Sequence, residues 1–88
     1  MEPSQEVRAL LYLLARAIEQ LDLEIELETK PAAVRVRGVE KLTEARRKEL
    51  EECLRRAAIL LEALGFVTEL RIGRVASLKW WRRATPFP

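Results

Sequence analysis

Histidine and asparagine are absent from this 88-residue sequence, and cysteine occurs once, at Cys53. Without histidine the chain lacks the commonest general base and the commonest zinc ligand. One cysteine excludes an intrachain disulfide, and its place in a helical pattern reads as a small buried residue rather than a reactive thiol. Serine occurs only at Ser4 and Ser77, so no serine–histidine nucleophile can be assembled. Gly38, Gly65 and Gly73 stand alone, which excludes a glycine-rich phosphate loop. Charges interrupt every apolar segment, so no run reaches the length that spans a bilayer, and the N-terminus lacks a signal-peptide pattern. The expectation is a cytoplasmic, non-enzymatic protein with no cofactor, no metal and no membrane partner.

What is present describes one globular domain, residues 1–88. Hydrophobic residues make up 49% and charged residues 34%, a composition that buries a core rather than staying disordered. Glutamine occurs only at Gln5 and Gln20. Few amides with many Glu, Lys and Arg fit a hyperthermophile protein, and fit a computationally designed one equally. The net charge of +2 conceals an asymmetry. Residues 1–44 carry six basic and nine acidic side chains, whereas residues 45–88 carry ten basic and five acidic. From Arg71 onward there are five basic residues and no acid.

Residues 4–20 read as a helix with Ser4 as N-cap. Val7, Leu10, Leu11, Leu14, Ile18 and Leu21 form its apolar stripe, which Tyr12 and Leu13 widen. That width implies a second neighbour or a dimer partner. At Leu21 the period changes to two: Leu21, Leu23, Ile25 and Leu27 alternate with Asp22, Glu24, Glu26 and Glu28. Val34 and Val36 then alternate with Arg35 and Arg37. The pattern predicts a hairpin over residues 21–38 whose outer glutamates face outer arginines. These carboxylates therefore read as ion-pair partners rather than acid–base groups.

A second helix over residues 43–64 has Thr43 as N-cap and Gly65 just past its end. Glu44 with Lys48, Glu51 with Arg55 and Glu52 with Arg56 are favourable i,i+4 pairs. Residues 66–83 form a second hairpin around Gly73, and residues 84–88 a tail. A two-residue loop would put Ser77, Lys79 and Trp81 on the Leu70 face. A three-residue loop puts Ala76, Leu78 and Trp80 there instead, and is preferred because it does not bury Lys79. The order is helix–strand–strand, twice, and both halves run from an apolar stripe straight into an alternating strand, about 44 residues apart. With few identities, this pattern raises a duplication without showing one. The fold class is α+β, order αββαββ: a four-stranded antiparallel sheet with two helices packed on one face.

Function rests on residues 71–83. Adjacent residues of a strand point to opposite faces. One of Trp80 and Trp81 therefore faces the helices, and the other stands among cations. Bases stack on aromatic faces while Lys and Arg follow phosphates, and open antiparallel sheets are used this way. The expected partner is single-stranded nucleic acid, DNA or RNA, held by Arg71, Arg74, Lys79, Trp80, Trp81, Arg82 and Arg83. Trp80 is read as core or as the edge of a cleft. The competing reading is a structural or designed domain that forms a homodimer through exposed apolar surface, with Trp81 covered by that contact or by the Pro86-Phe87-Pro88 tail.

Two resemblances attach to these residues. The stretch LLEALGFVTELRIGRVASLKW resembles the recognition-helix end and wing of winged-helix proteins, which would imply a double-stranded DNA binder. It departs from them upstream, where residues 43–64 read as one unbroken helix. In overall character the chain resembles the ThermoDBP-related single-stranded nucleic-acid-binding proteins of hyperthermophilic archaea: small, poor in amides, with helices backing a basic-aromatic sheet. That likeness implies a cleft lined by aromatics and arginines, here Trp80, Trp81, Arg82 and Arg83.

Overall fold

The computed structural model describes residues 5–29 and 32–82. Helix α1 spans Gln5–Glu19 and buries Val7, Leu14 and Ile18, one residue per turn or two of the same face. The expected cap Ser4 lies outside the described residues. The wider stripe is not covered by a neighbour: Tyr12 and Leu13 are exposed, on the flanks of the helix. Among the described residues no helix is long and apolar enough to cross a membrane.

The alternation that begins at Leu21 does not begin a strand there. Gln20 to Asp22 close the helix as a turn, with Leu21 N–H on the Ile18 carbonyl and Asp22 N–H on the Glu19 carbonyl, both at 3.0 Å. Asp22 adopts φ 59°. This left-handed residue reverses the chain and leaves both Leu21 and Leu23 buried. Strand β1 (Glu24–Thr29) then pairs antiparallel with β2 (Ala32–Arg37). The return strand ends at Gly38, φ 91°, where an added Cβ would lie 3.2 Å from Leu23 Cδ2. A single 3₁₀ turn, Val39–Lys41, follows and buries Val39.

Helix α2 (Glu44–Ala63) is capped by Thr43, whose Oγ1 accepts from Arg46 N–H at 3.3 Å. It buries Leu50, Leu54, Ala57, Ala58 and Leu61. Cys53 is half-buried beside them. Two of the i,i+4 pairs form, Arg55–Glu51 at 2.7 Å and Arg56–Glu52 at 3.9 Å. Gly65, at φ 97°, releases the chain into β3 (Phe66–Arg71), which pairs antiparallel with β4 (Ala76–Arg82). Leu70 opposes Leu78 and Thr68 opposes Trp80. Continued, this register sets Ile72 opposite Ala76 across a three-residue loop, so Ala76, Leu78 and Trp80 are buried and Lys79 is not.

The hairpins join through an antiparallel β2–β4 pair, giving the order β1-β2-β4-β3. Both helices pack on the face built from Val34, Val36, Leu78 and Trp80, and leave the other face open. The two αββ halves are related by a pseudo-twofold axis. An offset of 43 residues carries the buried Val7, Leu14 and Ile18 onto the buried Leu50, Ala57 and Leu61, and left-handed Asp22 onto left-handed Gly65. The second hairpin loop is one residue longer, so the last strands correspond at an offset of 44. Val34 pairs with Leu78, its own counterpart, which places the axis between them.

Candidate nucleic-acid interface

The open face is fixed by the pleat. Side chains directly opposite in neighbouring strands share a face, so the outer surface of the second hairpin carries Val67, Glu69, Arg71, Ser77, Lys79 and Trp81. Across β2 it continues with Ala33 opposite Lys79 and Arg35 opposite Ser77, then across β1 with Glu28 and Glu26. The adjacent indoles part as alternation requires. Trp80 is 6% exposed within the core, and Trp81 is 44% exposed on the open face.

Several expected contact residues sit elsewhere. Trp80 lines no cleft: it is core, because its face of β4 is the one the helices cover. Arg82 alternates to that same side, where its guanidinium carbon stands 5.5 Å from the centre of the Phe66 ring, opposite it in the ladder. It is exposed, but it does not flank Trp81 on the open face. Arg74 lies in the hairpin loop, seven residues from Trp81, a separation of roughly 20 Å along a strand. Its neighbours there include Arg37, Gly38 and Glu40. Arg83 and the Pro86-Phe87-Pro88 tail lie outside the described residues. The structure therefore gathers Trp81, Lys79 and Arg71 on one face and sets Arg74 at its far end: a line along the hairpin, not a ring around one indole.

The electrostatics are more even than the charge run suggests. Glu24, Glu26, Glu28 and Glu69 share the open face with Arg35, Arg37, Arg71 and Lys79. Three pairs form across this surface: Arg35–Glu28 at 3.1 Å, Arg37–Glu26 at 3.3 Å and Arg71–Glu69 at 3.5 Å. The two on the first hairpin are diagonal rather than directly opposite, since the ladder sets Arg35 against Glu26 and Arg37 against Glu24. Arg35 and Arg37 are thus structural partners. Among the described residues, Lys79 and Arg74 form no ion pair. The open face is acidic toward β1, with a positive surplus toward β4 and the second loop.

Val67 and Arg35 are the additions to the surface. Val67 opposes Trp81 and offers an apolar neighbour to its ring. Its outward direction was readable from alternation, whereas Arg35 reaches this surface only through the β2–β4 pairing. Among the described residues no group of three His, Cys, Asp or Glu side chains is placed to hold a metal ion. Helix α2 is continuous to Ala63, so the likeness to a winged helix is confined to the hairpin that follows it. Compared with known proteins, the chain matches no family model and no curated sequence.

Proposed function

We propose that this protein binds single-stranded nucleic acid, without catalysis, along the open face of its second hairpin. Trp81 stacks a base, Lys79 takes the adjoining phosphate, and Arg71 and Arg74 carry the backbone on toward the loop. The observation that supports this reading is the half-exposed Trp81 beside an unpaired lysine, on a face no helix covers. An exposed base–aromatic stack contributes about 1 to 3 kcal/mol and tolerates any base. The line from Trp81 to Arg74 suits a short strand, about four nucleotides at the low end of known site sizes.

With no more than three cations on the phosphates, binding is weak and salt-dependent. At about 0.7 counterions released per neutralised phosphate on a single strand, a tenfold rise in salt lowers affinity about a hundredfold. Titration of tryptophan fluorescence with an unstructured oligonucleotide tests the reading. Trp81 is quenched on stacking, and Trp81→Ala removes the signal and weakens binding at least tenfold. A second strand-independent check is Lys79→Gln, which lowers affinity and reduces the salt slope by about 0.7.

A further inference from the structure

The strand ladders set three side chains of the open face in one row. Ser77 of β4 stands opposite Arg71 of β3 on one side and opposite Arg35 of β2 on the other. Directly opposed residues share a face, so a short hydroxyl lies between two arginines that are far apart in sequence. Two strand spacings separate the arginine backbones, about 10 Å, a gap that two long side chains leaning over a serine can close. The next row toward Trp81 holds Lys79, with Glu69 opposite it on β3 and Ala33 then Glu28 on its other side.

The ion pairs that tie these two rows together are alike. Arg35 meets Glu28 through Nε at 3.1 Å, and Arg71 meets Glu69 through Nε at 3.5 Å. The pairs of Arg37, Arg55 and Arg56 are made instead at a terminal nitrogen, Nη2. A guanidinium gripped at Nε is held from its stem and keeps both terminal nitrogens for another acceptor. Glu26, the residue opposite Arg35 on β1, is taken up by Arg37. Both arginines stay accessible, their side chains 46% and 76% exposed. Arg35, Arg71 and Lys79 against Glu28 and Glu69 leave one positive charge, which suits the single negative charge of a phosphodiester.

We propose that Arg35, Ser77 and Arg71 form a clamp for one internal phosphodiester of a bound strand. The proposal rests on the reading of this face as a single-stranded nucleic-acid site, and it gives Arg35 a role beyond its pair with Glu28. The two guanidinium forks take the phosphate oxygens from either side, and the Ser77 hydroxyl donates from beneath. Glu28 and Glu69 are positioning residues. Ser77 lies four residues from Trp81, roughly 13 Å along the strand, so the clamped phosphate belongs to a nucleotide beyond the stacked one, past the phosphate on Lys79. Arg35 and Arg71 share one phosphate, so the number of phosphates neutralised, and with it the salt slope of the wild type, stays as given above.

Fluorescence titration of the full chain with a short oligothymidylate at low salt tests the clamp. Arg35→Gln weakens binding about tenfold through the loss of charge-assisted hydrogen bonds, with the Trp81 quench at saturation intact. Arg71→Gln weakens it by about as much. The double variant loses well under the product of the two, because both side chains act on one phosphate, whereas Arg35→Gln combined with Arg74→Gln loses the full product. Arg35→Lys keeps the charge without the fork and also binds more weakly than the wild type. Arg37→Gln, two residues along β2 and paired at Nη2, binds as the wild type does. The clamp is overturned if Arg35→Gln keeps wild-type affinity, if the losses of Arg35→Gln and Arg71→Gln multiply, or if Arg37→Gln loses as much as Arg35→Gln. In each of these cases quenching of Trp81 in the wild type leaves the wider nucleic-acid reading standing. A wild type whose Trp81 is not quenched overturns both.

Discussion

Trp80 and Trp81 are adjacent in sequence and opposite in environment, and substitutions at the two positions diverge accordingly. Trp80→Ala opens a cavity in the core and destabilises by about 3 to 5 kcal/mol, a fall in melting temperature of roughly 15 °C or more for a domain of this size. Trp81→Ala removes a half-exposed ring on the open face, opposite Val67 in the ladder, and its loss amounts to about 1 kcal/mol or less. Thermal melts of the two variants measure the difference. Equal, large losses would mean that both rings are core. The backbone supplies a second contrast between residues. Asp22 holds a left-handed conformation that its counterpart Gly65 adopts without strain, so Asp22→Gly raises stability by about 0.5 to 1 kcal/mol. Gly38→Ala meets both the φ of 91° and the 3.2 Å approach to Leu23. It lowers stability by about 1 to 2 kcal/mol. Denaturant midpoints check both.

At the scale of elements, periodicity carried most of the fold. The stripe of Val7, Leu14 and Ile18, the Thr43 cap and the alternation of Val34, Val36, Leu78 and Trp80 each identify an element and its buried face. The three-residue loop was legible too, because only that register keeps Lys79 out of the core. Alternation misled at Leu21 and Leu23, where a left-handed turn buries alternate leucines without forming a strand. A run of cations misled as well. Read along the chain, Arg74, Lys79 and Arg82 look like one cluster. Folded, they occupy a loop, one face and the other face of the same hairpin. Loss of the α2 cap by Thr43→Ala leaves the Arg46 N–H without its partner and lowers stability by about 1 kcal/mol, measured by chemical denaturation, with the fold unchanged.

The whole molecule is set by a pairing that no local pattern announces. Which strands join the hairpins depends on how two apolar sheet faces and two helices close one core, and the β2–β4 ladder is the result. That ladder makes the halves pseudo-symmetric, brings Arg35 beside Ser77, and sets the ion-paired first hairpin next to the basic second one. It also leaves two unlike surfaces: an open sheet face with one exposed indole, and the helix-covered face. The proposed binding function rests on the sheet face. Its most direct test is a fluorescence titration of the Trp81→Phe and Trp80→Phe variants, each with one remaining tryptophan, using a short single-stranded oligonucleotide at low salt. Quenching of Trp81 in the second variant, little change at Trp80 in the first, and loss of binding as salt rises are the results predicted. No change at Trp81 under low salt, with the protein folded, would contradict it.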